Sequence, residues 1–296
     1  MPDTDYLVKA LTKEGSFRAL AVSSKYLTEE ARQRHNLSHT AVVALGRTFA
    51  CGILLCNTLR KSKGHLILKL KGDGPLGGIN VDISSEGTAR GYVDNPHIEC
   101  FDKKNYVSTS KALGKTGYVH VTYDNEKGIP HSGSVELTTG EIAEDLAHYL
   151  ALSEQIPSFI SCGVYLEPKS GKVLHAGGIL IQTMPGATEE DIKILEETAS
   201  KLDPFTILQR SGLTLQEILN KALKSFGVEI ISEFEGICFH CPCSKEKFES
   251  ALAALDKAEV RKIINKTGYA EGRCHYCNNV YRITKEILIK IYNEMK

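Results

Sequence analysis

Cys238-Phe-His-Cys241-Pro-Cys243, then thirty residues, then Cys274-His-Tyr-Cys277: this stretch holds five of the nine cysteines and decides how the C-terminal end of the chain is read. Two close cysteine pairs joined by a short folded segment are what a tetrahedral zinc ion needs, since each pair makes a tight loop presenting two sulfurs. The first pair is C-x-C, one residue shorter than the C-x-x-C of ordinary zinc ribbons. That spacing crowds the two thiolates and makes any disulfide between them a small, strained ring. Strained, accessible disulfides are labile or regulatory in character. The site is therefore expected to act as a switch as well as a strut. His240 and His275 sit inside the same loops as competing ligands, but four sulfurs already close the site, so both are expected to be left out. Cys238 also makes a C-x-x-C with Cys241; it is read as a free thiol at the end of a strand from Val228 to Ile237.

Outside that stretch the composition is that of a soluble intracellular protein. The 296 residues suggest roughly two domains, and 42% apolar residues supply a core. The acidic start, Met1-Pro2-Asp3-Thr4-Asp5, leads into no apolar run of signal-peptide length. Four cysteines scattered singly (Cys51, Cys56, Cys100 and Cys162) do not suggest a secreted disulfide framework. A net charge of zero argues against a general polyanion binder.

The longest apolar stretch, Thr40 to Cys56, carries Arg47 near its middle and Ser38 as an N-cap. It reads as a helix buried in a globular domain, with Cys51 and Cys56 as small core residues, not as a membrane span. The period then changes to two. Strands are expected at His65–Lys71, Ile79–Ile83, Arg90–Val93, Gly117–Tyr123, Ser134–Leu137, Val164–Leu166 and Val173–Ile181, with a helix from Thr139 to Leu152. Gly72-Asp-Gly74-Pro-Leu-Gly77-Gly78 matches G-x-G-x-x-G, but a strand follows it where a dinucleotide fingerprint needs a helix, so it reads as a turn. Ser108-x-x-Lys111 and Lys115-Thr-Gly117 lie too close together to be the motifs of β-lactam-recognising enzymes. No Walker loop suggests ATP use.

From Thr188 the character changes. Thr188-Glu-Glu-Asp191 offers a cap and an acidic first turn, and Ile192, Leu195, Ala199 and Leu202 form a stripe. Pro204 ends that helix. A second is expected from Thr214 to Phe226, closed by Gly227. Helices this short persist only when their stripes are packed against something. These readings give an α+β fold: a strand-rich core with a buried helix at 1–185, a helical linker at 186–234, and a small zinc-binding domain at 235–296.

The C-x-C/C-x-x-C tail, with Phe239 before the first close pair and Ser244 after it, resembles the redox-regulated 33-kDa heat-shock chaperone family. So do Lys71-Gly-Asp-Gly-Pro75, Gly91-Tyr-Val-Asp-Asn-Pro96, Ser153-Glu-Gln-Ile-Pro157 and Ala176-Gly-Gly-Ile-Leu-Ile-Gln182, and together these pieces cover essentially the whole chain in order. The resemblance implies an ATP-independent holdase, not an enzyme, that binds unfolding clients and answers oxidative stress. It implies one zinc per reduced chain on Cys241, Cys243, Cys274 and Cys277. Oxidation would form Cys241–Cys243 and Cys274–Cys277 disulfides and release the metal. Cytoplasmic location and a homodimer on activation are implied in the same way. Cys238 has no counterpart in the family motif. Lys245, Lys247 and Arg273 are placed to favour thiolate over thiol.

Two other classes stay open on the residues alone. A nucleic-acid-binding zinc module is the first, although residues 235–296 carry only 11 Lys/Arg against 8 Asp/Glu and no basic stripe. A thiol-disulfide oxidoreductase is the second, although its C-x-x-C would ordinarily sit near a βαβ pattern.

Overall fold

The computed structural model describes residues 4–59, 64–124 and 129–295. The chain divides into two compact units, one running to His240 and the other beginning at Cys241.

The first unit opens with a hairpin, β1 (Asp5–Thr12) and β2 (Phe17–Ser23), then α1 (Lys25–His35) and the long α2 (His39–Leu59). Strands β3 (His65–Gly72), β4 (Gly78–Ser84) and β5 (Thr88–Val93) follow, then α3 (Thr109–Leu113), β6 (Gly117–Asp124) and β7 (Pro130–Glu136). Next come α4 (Ile142–Leu152), β8 (Ser158–Leu166) and β9 (Val173–Thr183), three helices, α5 (Glu189–Ser200), α6 (Phe205–Arg210) and α7 (Leu215–Ala222), and the twelve-residue β10 (Val228–Phe239). Among the described residues the strands join in the order β7-β6-β3-β4-β5-β10-β1-β2-β9-β8. Pairing is antiparallel except where Cys238 and Phe239 of β10 run parallel to Thr88 and Ala89 of β5.

Alternation along the central strands explains why this sheet is buried on both sides. Leu7, Leu20, Val22 and Leu180 face a core built on α2, which also takes in Leu66, Leu68, Val81, Val121 and Leu146. Tyr6, Val8, Ala19, Ala21, Ile179 and Ile181 face the other way and meet Leu195 of α5, Phe205 and Leu208 of α6, and Leu215, Ile218 and Leu219 of α7. α2 is a core helix: 17 of its 21 residues are buried, Arg47 pairs with Glu141 at 2.9 Å, and Ser38 caps it by accepting the Ala41 N–H.

The motif matches also find structural explanations. The glycine-rich turn brings β3 against α3 so closely that a Cβ at Gly72 would strike the Leu113 carbonyl and one at Gly74 the Ala112 carbonyl. Ser108 is the N-cap of α3, accepting from the Lys111 N–H, and Asp73 accepts the N–H groups of Lys115 and Thr116, both at 3.1 Å.

Several boundaries differ from the sequence reading. α4 starts at Ile142 because Asp145 turns back to accept the N–H groups of Thr138, Thr139 and Gly140, holding those residues in a loop. α7 stops at Ala222, four residues short of the expected end. The span 186–234 is not helical to its end, since β10 starts at Val228 and pairs with β1 from Thr12 opposite Val228 to Asp5 opposite Ile237. Residues 235–240 continue that strand and its pairing, so they belong to the first unit.

The second unit contains α8 (Lys245–Ala253), α9 (Lys257–Lys266), a hairpin of β11 (Ala270–Arg273) and β12 (Val280–Ile283), and α10 (Lys285–Glu294). Its core is a small cluster of Leu252, Ala270, Ile283, Leu288 and Ile291, with Val260 buried as well. So small a core is marginal without a covalent or metal cross-link.

Candidate metal centre

Each cysteine pair is placed by a short local structure. The first follows directly on His240 and ends at Ser244, whose hydroxyl accepts the Lys247 N–H and starts α8. The second fills the turn between β11 and β12. There the Cys274 N–H donates to the Asn279 carbonyl at 2.9 Å and the Asn278 N–H to the Cys274 carbonyl at 2.8 Å. Asn278 has φ +62°, a left-handed conformation that asparagine tolerates better than most residues and that closes the turn.

The sulfurs of Cys241, Cys243, Cys274 and Cys277 all lie within 4.8 Å of one another. Cys241 is 3.7 Å from Cys274, and Cys243 is 3.2 Å from Cys277. A tetrahedral zinc with Zn–S bonds of about 2.3 Å puts its sulfurs about 3.8 Å apart, so the arrangement fits that ion. Among the described residues no imidazole nitrogen joins the group. His240 belongs to the first unit, its N–H donating to Ala89. Cys238 is exposed on β10, with its N–H on the Gly87 carbonyl, and is outside the four.

Electrostatics also favour a cation here. Burial pushes the Cys277 thiol well above its ordinary range, and contacts with the other three sulfurs push it the same way; burial likewise raises Cys274. Thiolates packed together in this way need a positive charge among them. The basic side chains expected to supply it are engaged elsewhere: Lys245 lies 4.0 Å from Glu249, Lys247 donates to the Pro242 carbonyl, and Arg273 donates to Asn278. Sequence reasoning missed Tyr281 of β12. Its hydroxyl is 3.0 Å from the Cys243 sulfur and 3.1 Å from the Cys243 carbonyl. Its position four residues after Cys277 is the only signal the sequence carries.

The family model described as "Hsp33 protein" matches residues 5–284. The chain belongs to the Hsp33 family. A 33 kDa chaperonin of Cyanothece sp. is 41% identical over 99% of this chain and 98% of its own length. Another, from Nostoc punctiforme, is 42% identical over 99% and 97%. The crystal structure of the Thermotoga maritima 33 kDa chaperonin, a heat shock protein 33 homolog, superposes with a TM-score of 0.89 at 31% identity, covering 99% of this chain and 98% of that one. The Hsp33 membership and the four-thiol group agree with a small zinc-binding domain following an α+β core.

Proposed function

We propose that this chain is an ATP-independent holdase chaperone of the cytoplasm, held inactive by a metal-bound thiolate centre and activated by oxidation. The observation that carries the reading is the four-thiol group, which is both a complete zinc donor set and two pairs of oxidisable sulfurs. Membership in a family whose relatives are called chaperonins supports it.

Cys241, Cys243, Cys274 and Cys277 would hold zinc, which when bound supplies the positive charge that keeps four thiolates together. Tyr281 orients Cys243 from outside the group. An oxidant such as peroxide takes two electrons from each close pair, joining Cys241 to Cys243 and Cys274 to Cys277. No sulfur is then left as a donor, and so small an apolar core is a weak basis for keeping the second unit folded.

The apolar surface that would receive clients lies in the first unit. Leu195, Phe205, Leu208, Leu215, Ile218 and Leu219 cover the outer face of β1, β2 and β9. α5 and α7 each start on a capping box, Thr188 with Asp191 and Thr214 with Glu217, but neither is long enough to stand alone. The chain runs from these helices through β10 straight into Cys241. Loss of order beyond Cys241 frees that end of β10, and loosening of α5–α7 exposes a large apolar face of the kind that binds unfolded chains. A homodimer formed on activation would bury part of the same face.

The deciding experiment is suppression of client aggregation without ATP, with the protein reduced and zinc-loaded, then oxidised, then reduced again with zinc restored. Activity only in the oxidised sample is expected. Equal activity in all three would refute the switch, and insulin reduction in place of holdase activity would make the protein an oxidoreductase.

A further inference from the structure

A second pair of thiols lies far from the metal centre in sequence, inside the first unit. Cys51, on α2, is fully buried in the core cluster against which Cys162, on β8, packs, and the two thiols act on each other there. The approach is built into both elements. Gly46 lets α2 lie so close to β8 that a Cβ there would be 2.7 Å from Val164 Cγ2. Val164 is two residues from Cys162 and so on the same face of the strand, whereas a Cβ at Gly163 between them would meet Thr206 of α6.

The two thiols are not equivalent. Cys162 is partly buried, and the Cys51 thiol, then the Arg47 guanidinium, draw its thiol below the ordinary range. Cys51 is pushed up by the Cys162 thiol and by burial. Arg47 is one turn before Cys51. Its terminal nitrogen is held by Thr109 and Glu141, while its Nε is buried and meets no acceptor among the described residues. Arg47 and Val164 both line an open cleft of about 490 Å³, and Cys162 itself keeps part of its surface exposed.

We propose that Cys51 and Cys162 form a second redox centre, a peroxide-reactive dithiol that closes to a disulfide and staples the edge strand β8 to the core helix α2. The Cys162 thiolate attacks one oxygen of a hydroperoxide. A sulfur–oxygen bond forms, the oxygen–oxygen bond breaks, and hydroxide or alkoxide leaves. The Cys51 thiol then attacks the Cys162 sulfenic acid. The disulfide forms, the sulfur–oxygen bond breaks, and the departing hydroxide takes the Cys51 proton as water. Two thiols lose two electrons and one peroxide is reduced. Among the described residues β8 pairs only with β9 and is one of the two end strands of the sheet, so the staple secures an edge strand under the conditions that oxidise the metal centre. The inference does not depend on holdase activity.

The test uses the full-length, zinc-loaded protein, treated with hydrogen peroxide below its melting temperature, alkylated and digested without reductant. Peptide mapping should find Cys162 joined to Cys51, with fragment sequencing to separate Cys51 from Cys56 on the same peptide. The link should also form when Cys241, Cys243, Cys274 and Cys277 are all replaced by Ser. In Arg47→Gln it should form more slowly and recover as pH is raised, because the guanidinium that favours the Cys162 thiolate is gone. Recovery of Cys51 and Cys162 as separately alkylated peptides, after the four metal-site thiols have been fully oxidised, would overturn the proposal. So would a link that appears only on melting, or one that joins Cys162 to Cys56.

Discussion

The hydroxyl of Tyr6, on β1, accepts the backbone N–H of Leu215 at the start of α7, 3.4 Å away inside an apolar cluster that both residues share. This contact joins the first strand of the chain to a helix more than two hundred residues later. It shows that α5–α7 are part of the packing of the first unit and not a free tether.

Weakening that packing should therefore activate the protein without oxidant. Ile218→Ala and Phe205→Ala each remove a fully buried side chain from the cluster, at a cost of about 2–5 kcal/mol. Hydrogen exchange should show lost protection across 188–226 with zinc still bound, and aggregation assays should show holdase activity in the reduced protein. Normal protection, or lost protection with no activity, would separate this face from client binding.

At the metal centre, Cys274→Ser and Cys277→Ser should each abolish tight zinc binding. His240→Ala, His275→Ala and Cys238→Ser should keep one zinc per chain, because none of these residues belongs to the four-sulfur group. Tyr281→Phe should also keep the metal but change how readily peroxide displaces it, since the hydroxyl on the Cys243 sulfur is gone. Metal analysis with a chromogenic chelator during oxidation measures both.

Two carboxyls give opposite pH dependences. Burial raises Asp5 to about 6, against the hydrogen bonds from Leu27 and Ser23 that favour its charge. A carboxyl whose folded pKa is raised adds stability below its unfolded value of 3.8 and loses it as pH rises through 6, a change of about 3 kcal/mol for two pKa units. Glu29 is opposed by burial, but hydrogen bonds from Arg32, the Val173 N–H and Gln33 outweigh it and hold the carboxyl at about 2. Its contribution is present above 4.5 and is lost as pH falls toward 2. Urea titrations should show Asp5→Asn flattening the decline between pH 4 and 6 and Glu29→Gln flattening the acid limb. Parallel curves for the variants and the parent would contradict both assignments.

Asp145 is fully buried and accepts three backbone N–H groups and the Thr138 hydroxyl. Asp145→Ala leaves those donors without an acceptor and should cost about 3 kcal/mol or more. Thermal unfolding of the reduced, zinc-loaded protein should register it as a fall in Tm with the metal content unchanged.

Local chemistry was legible in the sequence by itself. Sulfur spacing pointed to a metal, because each close pair is short enough to act as a unit. The cap of α5 was legible because a Thr side chain reaches only a few residues along the chain, and α2 because its apolar residues go nearly all round. Strands β1 and β2 escaped notice for a related reason: they are covered on both faces, so the alternation that marks a half-exposed strand is hidden. The tertiary structure alone decided that β10 runs between β1 and β5, that the stripes of α5–α7 meet the outer face of β1, β2 and β9, and that Tyr281 reaches Cys243. It also turned Lys245, Lys247 and Arg273 toward other partners and brought Cys51 to Cys162 across more than a hundred residues. Periodicity shows that a face is apolar, but which other face covers it depends on the packing of the whole chain.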